Sequence, residues 1–540
     1  MISGAEIMVK CLEAEGVDIV FGYPGAAICP FYDKVYDSSI THILVRQEQN
    51  AAHAASGYAR CSNRPGVCVA TSGPGATNLI TGIATAYTDS IPIVAITGQV
   101  RSDLLGRDVF QEADITGACE PFVKHSYLVS KTEDLPRVFK EAFHIASTGR
   151  PGPVLIDIPV DIQENEIESF EYPESVNIIG YKPNTKGHAI QVKKAVEAIN
   201  ASKRPVIVSG GGVLSSGIKL KLQKFAETTG IPVISTMMGI GVMPSEHELY
   251  LGMLGTHGKA VANRALHEAD LVIVCGARLG DRAVAAPDQM SENTKVIHID
   301  IDPAEIGKNV KTEIPIVGDM KNVINMLLDS IGDYKVTTMW SETVKNCKKD
   351  LYREPPVFDG FVEPRTLVGH LSAMFRSKAI LVADVGQNQI WCANNFRIRE
   401  GRFLTTGGMG TMGYSIPAAI GAKFARPDRD VIVICGDGSF QMGLNELATI
   451  AGNQLGIKII IMKNARLGMV RELQDKHYGG RHSATILNGD PDFLKIADAY
   501  GIDHAEAHSN KEAENIIKGI VDSEKPFILV CDVHPDPPSI

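Results

Sequence analysis

The chain has 540 residues, with 53 Lys and Arg against 63 Asp and Glu, a net charge of −10, and 44% hydrophobic but only 6% aromatic residues. This length exceeds what one hydrophobic core supports and asks for several domains, while the acidic balance offers no basic face to nucleic acid or an anionic bilayer. No apolar run reaches the roughly 18–20 residues of a membrane-spanning helix, and the amphipathic start MISGAEIMVKCLEAEG lacks a cleavable signal pattern, so a cytoplasmic protein is expected.

Short apolar runs ending in glycine turns recur along the chain: VDIVFGYPG, PGVCVATSGPG and IPIVAITG first, then RPVIVSGGG and DLVIVCGAR, and last KAILVADVGQ and DVIVICGDG. Alternating with helical stretches, they predict an α/β fold of three doubly wound parallel-sheet domains. Ligands then belong at the carboxyl ends of the strands, where the glycines fall. The acidic, Pro- and Gly-punctuated stretch 163–187 predicts a first linker, and 331–364, ending in YREPPVFDGFVEP, a second. The expected domains are 1–165, 185–330 and 360–540. Ten cysteines without a CxxC pair, several inside buried-strand patterns such as Cys275 and Cys435, are expected to be reduced core residues.

In the first domain HILVRQEQNAAHAASGYAR at 42–60 predicts a strand that breaks into a helix at Glu48. A carboxylate there is explained by the helix N-terminus alone. The second domain aligns SGGGV at 209–213, MLGTHG at 253–258 and CGARLGDR at 275–282 with the acidic strand end HIDID at 298–302. This is a nucleotide-binding layout, although the GxGxxG fingerprint is missing.

The third domain carries the sharpest chemical signal. GDGSF at 436–440 follows the strand VIVIC and opens the helical stretch FQMGLNELATIAGN, after which the strand IKIIIM runs into Lys463 and Asn464. One right-handed crossover places Asp437 and Asn464 at the ends of neighbouring parallel strands, where they can share an ion. A carboxylate, an amide oxygen and a backbone carbonyl suit Mg²⁺, with diphosphate oxygens completing the shell. Gly436 and Gly438 admit the phosphate to the free N–H groups of the helix start.

GDG, the asparagine after one crossover and RLGMV resemble the diphosphate domain of thiamine-diphosphate enzymes, specifically the acetohydroxyacid (acetolactate) synthase family. SGPGATN at 72–78, DSIPIVAITGQV at 89–100 and GRDVFQEADITG at 106–117 follow in that family's order, and the resemblance covers essentially the whole chain. It implies three cofactors, thiamine diphosphate, Mg²⁺ and FAD, and decarboxylation of pyruvate with transfer of its two-carbon unit to a second 2-keto acid. Glu48 is then the carboxyl group beside pyrimidine N1′, whose hydrogen bond favours the imino tautomer that deprotonates the thiazolium. Phe110, Gln111 and Lys124 lie by the reacting centre, and Arg282 receives the second keto acid's carboxylate through two parallel hydrogen bonds.

The resemblance further assigns Gly386, Gln387, Gly410, Met412, Ser439 and Met469 to thiamine diphosphate, Met412 holding the thiazolium bent. The metal falls to Asp437, Asn464 and Arg466, and FAD to Arg150, Gly210, Gly211, Gly212, His257, Gly276, Arg278, Asp300 and Asp319. It implies a homodimer or homotetramer with sites between subunits, leaves room for a small regulatory subunit, and points to branched-chain amino-acid biosynthesis. Departures cluster at the substrate channel: RFDDRVTG is RLGDRAVA, PGGA has Ala26, the proline after GQV is Arg101, the lysine of VPKD is Val160, and the tryptophan after GMV is Leu473. That tryptophan favours 2-ketobutyrate over pyruvate in the family, so Leu473 leaves the preference open. The alternatives are another thiamine-diphosphate decarboxylase or oxidase, and an FAD-independent acetolactate synthase.

Overall fold

A computed structural model describes residues 1–284, 294–350 and 354–540. Ala285 of RLGDRAVA and 351–353 of the second linker lie outside them. Each of three six-stranded sheets is wholly parallel, and helices cover both faces. A short antiparallel pair, β1 (Ile2–Ser3) with β8 (Glu166–Ile167), ties the N-terminus to the start of the first linker.

The first sheet holds β2 (Ile19–Gly22), β3 (Thr41–Leu44), β4 (Gly66–Ala70), β5 (Ile93–Gln99), β6 (His125–Leu128) and β7 (Val154–Pro159), in the order 3-2-4-5-7-6. The second holds β9 (Pro205–Ser209), β10 (Val233–Ser235), β11 (Tyr250–Met253), β12 (Leu271–Cys275), β13 (Lys295–Asp300) and β14 (Ile314–Val317), in the order 11-10-9-12-13-14. The third holds β15 (Ile380–Ala383), β16 (Arg402–Leu404), β17 (Val431–Gly436), β18 (Ile457–Lys463), β19 (Asp503–Ala507) and β20 (Phe527–Asp532), in the order 16-15-17-18-20-19. The strand order reverses between β2 and β4, between β9 and β12, and between β15 and β17. Loops leaving the carboxyl ends on either side of such a reversal diverge and open a crevice. The turns at Gly73, Gly210, Gly276, Gly386 and Gly436 all begin there.

Continuous Val and Ile runs such as VIVIC and LVIVC form strands because β-branched side chains fit a pleated surface buried on both faces. The first and third sheets share one apolar core. It closes where helix Glu48–Ser62 crosses helix Ser415–Ala425. Gly57 lies against the backbone of Ala418, and Gly421 against that of Ala54. A Cβ at either glycine would overlap a carbonyl, so the helices approach to backbone contact only because neither carries one.

Three expectations are corrected. The crossover stretch after GDGSF is not one helix but helix Asp437–Gln441, a 3₁₀ turn Leu444–Glu446 and helix Leu447–Gly452. The break falls at Gly443, where a Cβ would stand 3.3 Å from Gly413 O. The second linker contains helix Thr338–Asp350, whose Trp340 is buried with its indole N–H on Pro205 O at 3.0 Å. Its high polarity had hidden that one apolar stripe. Nine cysteines are buried and free, but Cys29 is exposed at the start of helix Cys29–Tyr36.

Candidate active site

β17 and β18 are parallel neighbours with Gly436 opposite Met462, so Asp437 and Asn464 emerge side by side from their strand ends. Asp437 is buried; its Oδ2 accepts the N–H of Asn464 at 2.9 Å and of Ala465 at 2.6 Å, and Oδ1 accepts that of Gly438 at 2.8 Å. Burial pushes this carboxyl up to about 6 despite those amides. Asn464 Oδ1 accepts the Arg466 N–H at 3.2 Å, and its Nδ2 donates to Gln387 Oε1 at 3.3 Å. The Ser439 hydroxyl closes the turn by accepting the Gly436 N–H at 3.1 Å.

This is a buried, all-oxygen donor set at the start of a helix, which fits Mg²⁺ and a diphosphate. Met412 Cε lies 3.9 Å and Leu467 Cδ2 2.9 Å from where a Gly438 Cβ would stand, so the ends of apolar side chains pack against this turn. Gln387 is held in turn by Glu472 Oε1 at 2.8 Å and Pro537 O at 2.7 Å, both accepting from its amide. Gly386 and Gly410 both have positive φ, at +141° and +63°.

Glu48 is the first residue of its helix, and its Oε2 accepts from Asn78 Nδ2 at 3.0 Å. Its Oε1 lies 3.4 Å from the Cβ position of Gly75. Gln111, at φ +59°, stacks its backbone on Gly73, which brings it to the same turn. Phe110 beside it is 87% exposed. Glu112 pins this loop by accepting the N–H groups of Gly106 and Val109. Behind it Gln99 Nε2 donates to Ala113 O at 2.8 Å and Asp157 Oδ2 at 2.9 Å. Burial pushes the Asp157 carboxyl up to about 7.

Among the described residues no hydrogen bond or ion pair joins Glu48, Asn78 or Gln111 to Gln387, Asp437 or Asn464. Each of the two clusters is thus assembled inside its own domain. Lys124 joins neither: its ammonium points inward, donating to Ile145 O, to Thr148 O at 2.7 Å and to Tyr181 Oη at 2.9 Å. Burial, then the Arg150 charge, lowers it to about 8.

A cavity of about 1040 Å³ lies between the three domains. Gly211, Gly212, Gly276, Arg278, Asp300 and Asp319 line its central-domain wall, and Gly212 and Gly276 touch backbone to backbone at the strand reversal, with Gly210 beside them. Burial raises the Asp300 carboxyl to about 6. Asp319 also caps helix Met320–Ser330 by accepting the Lys321 N–H. Arg150 crosses from the first domain, its Nε donating to Ser90 Oγ at 2.8 Å and its Nη1 to Glu305 at 2.7 Å and Asp302 at 3.2 Å. The other end of the cavity is lined by His257, Arg282, Gly410, Met469 and Leu473. Arg282 is largely exposed, with its nearest carboxylate, Asp281, at 3.8 Å.

Several residues that shape these sites carried no signal of their own in the sequence. Asn78 sits inside SGPGATN and only the fold turns it onto Glu48. Glu472 looks like a solvent-facing helical glutamate, yet it also accepts from the Ser539 N–H at 2.9 Å. Glu446 is fully buried, accepting the Arg46 N–H at 2.8 Å and Asn50 Nδ2 at 2.9 Å across the domain boundary.

Three family profiles match the chain: the thiamine pyrophosphate enzyme N-terminal TPP binding domain over 2–118, its central domain over 192–327, and its C-terminal TPP binding domain over 384–531. The chain is 48% identical to the probable acetolactate synthase large subunit of Methanocaldococcus jannaschii, over 99% of this chain and 92% of that one. It is 45% identical to the acetolactate synthase large subunit of Haemophilus influenzae (93% and 89% covered) and 43% identical to that of Lactococcus lactis (98% and 92% covered). With three thiamine-enzyme domains in sequence and full-length relatives at this identity, the chain belongs to the acetolactate synthase large-subunit family of thiamine pyrophosphate enzymes.

Proposed function

We propose that the protein is the catalytic subunit of an acetolactate synthase that uses thiamine diphosphate and Mg²⁺, carries FAD, and joins decarboxylated pyruvate to a second 2-keto acid. The observation that carries this reading is the pairing of Asp437 with Asn464 at adjacent strand ends, together with Glu48 at a helix start oriented by Asn78. When bound, thiamine diphosphate supplies the electron sink for loss of CO₂.

The protein's part is positional. Asp437, Asn464 and the backbone carbonyl of Arg466 would hold the metal, with Gly436, Gly438, Ser439 and Gln387 around the diphosphate. Glu48 would hold a proton at the pyrimidine ring, while Met412 and Leu467 press on the turn from the apolar side. Gln111 and Phe110 would face the reacting centre, and Arg282 would bind the carboxylate of the second substrate next to Leu473 and Met469. Closure of the site by a partner chain would exclude water and protons that would divert the two-carbon unit to acetaldehyde.

The large cavity, with its glycine contact, the acidic strand end at Asp300 and Arg150 across the domain gap, fits a dinucleotide. FAD there would have no redox step to perform. Separate assembly of the two half-sites supports a homodimer or larger oligomer in which partner chains complete each site. The relatives are named large subunits, which supports a small regulatory partner; a cytoplasmic location and a role in branched-chain amino-acid biosynthesis belong to the same proposed reading.

The test is incubation with pyruvate, with and without 2-ketobutyrate, measuring acetolactate, 2-aceto-2-hydroxybutyrate, acetaldehyde and acetyl phosphate, alongside a flavin absorption spectrum. Acetolactate as main product is expected; mainly acetaldehyde or acetyl phosphate overturns the reading. Asp437→Ala should abolish thiamine-diphosphate binding.

A further inference from the structure

The loop 405–415 of the third domain carries Gly410 and Met412, and Met412 reaches the Gly438 turn. The two ends of this loop are tied down within the third domain. Gln389 Nε2 donates to Thr405 Oγ1 at 2.7 Å and to Thr406 O at 3.0 Å, and Asp384 accepts the N–H groups of Gly413 at 3.0 Å and Ser415 at 2.8 Å. The middle is different. Gly407, Gly408 and Gly410 are all exposed, and so is Met409 among them. Three glycines in four residues carry a large backbone entropy and bring almost no side chain to fix the path.

Among the described residues, the hydrogen bonds that 407–411 make outside the loop all go to the first domain. Asp89, which follows helix Ile80–Thr88, accepts the Gly408 N–H on Oδ1 at 2.8 Å and the Gly407 N–H on Oδ2 at 3.1 Å. One turn back, Thr85 gives its single hydroxyl proton to Thr81 O at 2.7 Å, so it accepts from the Thr411 hydroxyl, also at 2.7 Å. A Cβ on Gly408 would stand 2.5 Å from the Cβ of Thr88, and its absence lets the loop rest on the helix end. Arg60 of the same domain adds a hydrogen bond to Thr405 O at 2.6 Å.

A carboxylate and a hydroxyl on one helix end thus set the path of a glycine-rich loop in another domain. We propose that Asp89 and Thr85 are positioning residues, which act through 407–411 to hold Gly410 and Met412 where the thiazolium ring binds. This role rests on the reading of Gly410 and Met412 as thiamine-site residues. When the loop is released, Met412 can back away from the Gly438 turn while Asp437 and Asn464 stay in place. Turnover then suffers more than cofactor binding.

The experiment compares the full-length wild type with Asp89→Ala, Asp89→Asn and Thr85→Val. Hydrogen–deuterium exchange of the segment 404–414, measured without cofactor, should be about tenfold faster in Asp89→Ala, and less so in Asp89→Asn, which keeps one acceptor oxygen. The segment 436–441 should exchange as in wild type. With thiamine diphosphate and Mg²⁺ added, well below the melting temperature, kcat for CO₂ release from pyruvate should fall about tenfold in Asp89→Ala and in Thr85→Val. The half-saturating thiamine diphosphate concentration should stay within about threefold of wild type in both. CO₂ release precedes the choice of product, so a wild type that makes mainly acetaldehyde would strike the acetolactate reading and not the anchoring of the loop. Unchanged exchange of 404–414 in Asp89→Ala, or faster exchange with kcat within about twofold of wild type in both Asp89→Ala and Thr85→Val, overturns the proposal.

Discussion

Replacing Glu446 tests how far catalysis depends on the joint between the first and third domains. The carboxylate is fully buried and accepts from the Arg46 N–H, Asn50 Nδ2 and the Thr449 hydroxyl, the last at 2.6 Å. In Glu446→Ala the Thr449 hydroxyl keeps Leu44 O at 3.2 Å, but the Arg46 and Asn50 donors lose their main acceptor. Each orphaned donor costs about 1–3 kcal/mol, so the variant should lose about 2–5 kcal/mol. Glu446→Gln retains an acceptor oxygen and should lose only about 1 kcal/mol. Since Arg46 stands two residues before Glu48, the Ala variant should also lower kcat for acetolactate more than the Gln variant does. Thermal unfolding by circular dichroism and steady-state product formation measure both effects. An Ala variant within 1 kcal/mol of wild type, or equal losses in Ala and Gln, would refute the reasoning.

Asp157 carries a pH signature: its folded carboxyl titrates near 7 against 3.8 in the unfolded chain, so its contribution is fully present below about pH 4 and is lost as pH rises to 7. The upper bound of that loss is about 4 kcal/mol, and melting curves of wild type and Asp157→Asn from pH 4 to 8 should converge at the acidic end and separate towards pH 7. Lys124→Met should cost about 1–3 kcal/mol of stability by taking the main donor from Ile145 O, Thr148 O keeping the Tyr181 hydroxyl at 2.9 Å, while kcat of the folded fraction stays within twofold; a large fall in kcat with unchanged stability would return Lys124 to the reacting centre. Leu473→Trp should move the product ratio in competing pyruvate and 2-ketobutyrate towards 2-aceto-2-hydroxybutyrate by about tenfold, within the 1–3 kcal/mol that apolar pockets discriminate, and an unchanged ratio would free Leu473 of that role.

The rhythm of buried β-branched runs and glycine turns is enough to name the fold class, because parallel strands covered on both faces must be apolar throughout and must end in turns that let ligands near the backbone. It also places Asp437 and Asn464 together, since one crossover in such a sheet has one hand. Local order does not reach further. The crossover helix breaks at Gly443, packed near the carbonyl of Gly413 30 positions away, and helix Thr338–Asp350 is anchored where Trp340 meets Pro205 O. Asn78 on Glu48, Glu472 on Gln387 and Glu446 across the domain joint are polar residues whose partners lie 30, 85 and 400 positions away. The inward turn of Lys124 belongs with them. Strand and turn patterns are written in neighbouring side chains and can be read from them. Which buried polar group meets which, and which charge is left without a partner, depends on how the three sheets pack, and only the tertiary structure decides it.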